Sequence, residues 1–150
     1  MMFSLIRYFL GLAALIGFLT PALAAGDPPG RVGRLSQVDG DVTFRADRQD
    51  PGGPAAINWP ISSGAIIDTE RRSRAEVWVG STAYRLAGNS RAEFVTVDDQ
   101  IVDLLLAEGT LAMTIRDRNQ ADDLQISTPG GRVRFPGPGR VSRNPAFRPQ

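Results

Sequence analysis

Between Gly64 and Leu86 three short apolar runs, Ala65 to Thr69, Ala75 to Val79 and Thr82 to Leu86, are joined by the charged stretch Glu70 to Arg74 and by Gly80-Ser81. The same punctuation continues along the chain, with turn residues recurring roughly every 8 to 12 positions and no segment keeping helical periodicity over three turns. Runs this short cannot form stable helices, but they suit strands whose side chains alternate between a core and solvent. The pattern predicts an all-β domain, a compact sandwich or rolled sheet of about ten short, mostly antiparallel strands.

Individual runs sharpen that expectation. Asp39-Gly40 separates Val32 to Val38 from Asp41 to Arg45 and reads as a hairpin, because a type I′ turn needs positive φ that Asp and Gly tolerate. In the second run Val42 and Phe44 share a face opposite Thr43 and Arg45. Ala46 to Ala56 is Gly- and Pro-rich and too irregular for a strand, while Ile57, Trp59 and Ile61 suit an edge segment that Pro60 keeps from being central. Ala75, Val77 and Val79 alternate with Glu76 and Trp78, and Tyr84 and Leu86 oppose Ala83 and Arg85. Ile101 to Ala107, interrupted only by Asp103, reads as the most buried strand. Leu111, Met113 and Ile115 give the clearest half-buried alternation, and Leu124 to Ser127 and Arg132 to Phe135 read as two weaker strands around Thr128-Pro129-Gly130-Gly131.

The ends differ from this body. Arg7, the apolar run Phe9 to Leu19, the break at Thr20-Pro21 and the small-x-small site Ala22-Leu23-Ala24 form the three regions of a signal peptide. Leu5 to Leu19 falls short of the roughly 20 apolar residues of a spanning helix, so cleavage after Ala24 is expected and an uncleaved tether is the alternative. The expected organisation is a signal helix at 1–24, a linker at 25–31, a β domain at 32–135 and a disordered Arg/Pro-rich tail at 136–150. The acids lie before Gly131, whereas Arg132, Arg134, Arg140, Arg143 and Arg148 follow with none. A basic tail attracts anionic glycan, lipid or nucleic acid by charge alone, and the expected periplasmic or secreted location argues against nucleic acid.

Composition removes most chemistry. The chain has no Cys, His or Lys, which excludes disulfides, thiolate and imidazole metal sites, His-assisted nucleophiles and Schiff-base amines. Asp39-Gly40-Asp41 lacks the further ligands of a calcium loop, and Asp68-Thr69 is followed by Glu70 where an aspartic protease needs Gly. Asp98-Asp99 and Asp122-Asp123 sit at expected turns, where Asp bonds its own backbone. Glu76 and Glu93 are the carboxylates a glycosidase would use, although charge on an alternating strand is ordinarily surface. No catalytic, cofactor-binding or metal-binding residue is assigned. The candidate partner-binding residues are Trp78, Glu76 and Arg85, an exposed aromatic flanked by charges, together with Trp59 beside the mobile-looking loop.

Several motifs carry a likeness to a known family: Val38-Asp39-Gly40-Asp41-Val42; Pro60-Ile61-Ser62-Ser63-Gly64 with Ile67 and Thr69; Ser73-Arg74-Ala75-Glu76-Val77 with Gly80-Ser81 and Leu86; Glu108-Gly109-Thr110-Leu111 after Val102 to Leu106; and Ile126-Ser127-Thr128-Pro129. Their order resembles the FecR domain family, over roughly Pro29 to Gly139. The resemblance implies an envelope β domain, and the founding type regulates iron-citrate uptake through a cytoplasmic anti-sigma segment and a membrane helix. Here only Met1 to Tyr8 precede the apolar run, too little for such a segment, so the chain is more similar to exported members. The expectation is a non-enzymatic exported module binding an envelope protein or glycan, with a membrane-tethered signalling component as the alternative. Membrane contact is expected only through an uncleaved signal helix.

Overall fold

In the computed structural model residues 30–135 and 137–143 are described; residues 1–29, which hold the expected signal peptide, Pro136 and the last seven residues lie outside them. Thirteen strands form two sheets: β1 (Gly33–Asp39), β2 (Val42–Arg45), β3 (Gly53–Pro54), β4 (Pro60–Ile61), β5 (Ala65–Thr69), β6 (Arg74–Val79), β7 (Thr82–Leu86), β8 (Ser90–Val97), β9 (Val102–Glu108), β10 (Leu111–Ile115), β11 (Leu124–Thr128), β12 (Gly131–Arg134) and β13 (Gly139–Arg143). One sheet runs β13-β10-β7-β6-β1-β4 and the other β12-β11-β9-β8-β5-β2-β3. The all-β sandwich expected from the alternation is what forms. All pairings are antiparallel except β9 with β11.

The alternating residues decide what each sheet faces. Val77 and Val79 of β6, Tyr84 and Leu86 of β7, and Leu111, Met113 and Ile115 of β10 point inward from the six-stranded sheet. They meet Ile67, Phe94, Leu104, Leu106, Leu124 and Ile126 from the seven-stranded one. Tyr84 and Phe94 bridge the sheets edge to face, ring centroids 5.5 Å apart. Burial pushes the Tyr84 phenol well up from its ordinary value.

Asp39-Gly40 is not the expected hairpin. β1 pairs with β4 and β6 whereas β2 pairs with β3 and β5, so this turn carries the chain from one sheet to the other. Gly40 supplies the positive φ of 75°, and the Asp41 N–H donates to Ser73 Oγ at 2.9 Å, in the corner by which β5 crosses to β6. Gly109 makes the corresponding corner between β9 and β10 at φ 89°, against Ser90, whose Oγ accepts from the Thr110 N–H at 2.9 Å. Each corner thereby pins one crossing to another, and the two adjoin at one end of the sandwich, where the Asn89 N–H donates to the Glu70 carbonyl at 3.3 Å. The Gly80-Ser81 turn between β6 and β7 is a true hairpin.

Three further expectations are corrected. β9 alternates rather than being buried on both faces, since Asp103 and Leu105 are half-buried between Val102, Leu104 and Leu106. The loop after β2 contributes a two-residue strand, β3. In the tail expected to be disordered from residue 136, Gly139–Arg143 adds β13 beside β10, with Val141 opposite Met113. A single helical turn, α1 (Arg118–Asp122), was also unanticipated; Asp117 caps it by accepting from the Asn119 N–H.

Candidate functional site: the outer face of the six-stranded sheet

Register assembles the candidate residues. Pairing of β1, β6, β7, β10 and β13 lays two outward rows across the sheet, Gln37-Glu76-Arg85-Ala112-Ser142 and Arg34-Trp78-Ala83-Thr114-Arg140. Glu76, Trp78 and Arg85 therefore come together. Trp59 does not join them: it lies beside β4 at the sheet's edge, its ring packed edge to face on Phe44 at 5.1 Å.

Glu76 is the hub of a polar web. Its Oε1 accepts from the Trp78 indole N–H at 2.6 Å and from the Ser36 hydroxyl at 2.9 Å, while Oε2 pairs with Arg85 Nε at 2.6 Å. Ser36 reaches it because a bulge between Leu35 and Gln37 re-aims β1. Burial alone would raise the Glu76 pKa; the Trp78 N–H, the Ser36 hydroxyl and Arg85 outweigh it and hold the carboxyl below its ordinary range. Arg85 also donates from Nη1 to Thr114 Oγ1 at 3.0 Å, which fixes its direction across the strands.

Trp78 is half-buried rather than exposed as expected. The Arg116 guanidinium lies 4.9 Å from its ring centroid and covers it. From below, Gln120 of α1 clamps the hairpin, its Oε1 accepting from the Ser81 N–H at 2.9 Å and from the Ser81 and Thr82 hydroxyls. Neither Arg116 nor Gln120 was anticipated from sequence. Both lie far along the chain, and only the β7–β10 pairing brings them here.

Five exposed arginines stand on or beside this face: Arg34, Arg74, Arg85, Arg116 and Arg140. Among the described residues only Arg85 of the five has a carboxylate within ion-pair distance. A shallow groove of about 490 Å³ lies on its β10–β13 side, with Arg85 and Arg140 at the sides and Ala112, Met113, Thr114, Val141 and Ser142 lining it.

The opposite outer face is arranged differently. Asp68 binds both Arg45, at 2.9 Å, and Arg91, and Glu93 binds Arg48 at 3.0 Å. Glu76 and Glu93, the carboxylates a glycosidase would use, thus lie on opposite sides of the sandwich. Asp98 serves its turn, accepting from the Ile101 and Gln100 N–H groups, which lower its pKa. Asp123 lies 3.8 Å from Arg31. Among the described residues no group of three or more acidic side chains is placed to hold a metal ion, and no helix is long and apolar enough to cross a membrane.

Comparison with protein-family models, with curated proteins and with solved structures finds no match to this chain.

Proposed function

We propose that this chain is an exported, non-enzymatic FecR-like β module that binds a protein or glycan partner in the bacterial envelope through the outer face of its six-stranded sheet. The observation that carries this reading is the web on Glu76. An aromatic and two arginines are held in fixed directions on a strand scaffold, as a recognition surface requires, instead of being left as separate solvated charges. The carboxylates at the centres of both outer faces are engaged by arginine, which favours binding over acid–base chemistry. Export rests on the signal-peptide pattern of residues 1–24.

The test is capture from envelope extract on the immobilised full chain. Trp78→Ala and Arg85→Ala are expected to lose the captured partner, and Arg91→Ala on the opposite face to keep it. Equal capture by all three would discard this face. Mass spectrometry of the mature protein should show Ala25 as its first residue; an intact signal segment would favour the tethered reading.

A further inference from the structure

We infer that the partner of this face is an acidic polysaccharide, a chain carrying carboxylate groups along its length; the inference rests on the binding-face reading above and names its ligand class. Charge complementarity carries it. Arg34, Arg74, Arg116 and Arg140 are exposed and, among the described residues, have no carboxylate within ion-pair distance. Glu76, the acid at the centre of the face, is already occupied by Arg85. Arg34 and Arg140 end one register row, four strand spacings apart, which at about 4.8 Å per strand is roughly 19 Å. Cations so spread match repeated anions on an extended polymer better than one compact anion. The guanidinium fork also pairs with a carboxylate through two parallel hydrogen bonds.

The residues between the arginines narrow the class further. Ala112, Thr114 and Ser142 give the groove a shallow floor of small side chains, two of them hydroxylated. An anchored protein interface needs a buried aromatic or aliphatic hot spot, and Trp78, the aromatic of this face, is covered by Arg116. Single-stranded nucleic acid is gripped by open aromatic platforms, which that same cover denies. Bilayer binding couples basic charge to inserted apolar side chains. Of the exposed large apolar residues, Val95 is on the other sheet, and Val32, Ile57 and Trp59 lie at the β1–β4 edge outside the two register rows that carry Arg34, Arg85 and Arg140.

The experiment measures binding of an alginate oligosaccharide, a pure polyuronate, to the full mature chain at low and at physiological ionic strength. Binding that weakens with salt is expected. Arg34→Gln with Arg140→Gln is expected to weaken it about tenfold for the pair, the scale of two exposed ion pairs. Arg132→Gln with Arg134→Gln, an equal change of charge on the other sheet, is expected to weaken it no more than about twofold. Circular-dichroism melts of both doubles verify folding. The inference is overturned by absence of alginate binding, by equal loss in the two doubles, or by tighter binding to oligothymidylate or to phosphatidylglycerol vesicles than to alginate. If alginate fails while capture from envelope extract still depends on Trp78 and Arg85, the ligand class is wrong and the binding face stands. If both fail, the face itself is wrong.

Discussion

Removing the Glu76 side chain tests whether the outer web is a fixed structure. The carboxylate accepts from Trp78 and Ser36 and pairs with Arg85, and its side chain is 17% exposed. Hydrogen bonds to a charged acceptor contribute about 1.5 kcal/mol or more when buried, and exposed ion pairs less than about 1 kcal/mol. With water able to reach Arg85 and part of Trp78, Glu76→Ala is expected to cost about 2 kcal/mol, a fall in Tm of roughly 10 °C for a domain of this size. Glu76→Gln keeps a carbonyl acceptor and loses only the charge, so about 1 kcal/mol is expected. The pH dependence has a definite sign. A carboxyl whose folded pKa lies below its unfolded value stabilises the fold above the unfolded pKa, and that contribution fades as pH falls through the folded pKa. Urea denaturation of wild type and Glu76→Gln should therefore give curves separated at about pH 7 that converge at about pH 2. Coincident curves at neutral pH, or a separation that survives acid unchanged, would refute the web as a structural unit.

Two further outcomes concern the corners between the sheets. At Gly109 an added Cβ would overlap Ser90 Oγ and the Asn89 carbonyl oxygen, and φ is 89°, so Gly109→Ala is expected to cost about 3 kcal/mol or more, whereas Gly53→Ala, with open space around it, should stay within about 0.5 kcal/mol; chemical denaturation of the pair checks the contrast. Thr69 Oγ1 donates to the Ala87 carbonyl at 2.6 Å and accepts from the Ser90 N–H at 3.0 Å, so Thr69→Val strands a buried N–H and should cost about 1 to 3 kcal/mol, read by urea midpoint and by faster hydrogen exchange at Ser90.

Strand positions and their inward faces were legible because alternation is local. Val77 and Val79 against Glu76 and Trp78, or Leu111, Met113 and Ile115 against their neighbours, state the core directly. Sheet membership was not legible. Asp39-Gly40 has the residues of a hairpin turn, yet the same positive φ serves a corner between sheets, and only the pairing of β1 with β6 decides between them. The Asp117 cap precedes a helix of one turn, too short for periodicity to register. Prolines around Gly139–Arg143 read as breakers, although Val141 needs only the edge of β10 to pack against. Of the site, Glu76, Trp78 and Arg85 were found as sequence neighbours or hairpin partners. Ser36, Thr114 and Arg116 were invisible because long-range register alone sets them there.

Why the arginines of the six-stranded sheet should carry function, and those of the other sheet structure, follows from their partners. Arg45 and Arg91 flank Asp68, and Arg48 holds Glu93, so the central charge of the seven-stranded face is largely cancelled within the fold. On the six-stranded face Arg34, Arg116 and Arg140 have no such partner among the described residues, and Arg74 has Asp39 opposite it in register but not in an ion pair; packing does not require these cations, because outward positions of an alternating strand accept any polar residue. Small residues, Ala112 and Ser142, lie between Arg85 and Arg140 along the groove. An anion laid across this face binds the folded chain alone, so binding and stability are linked: an acidic ligand should raise Tm for the wild type and do so less once Arg34 and Arg140 are neutralised.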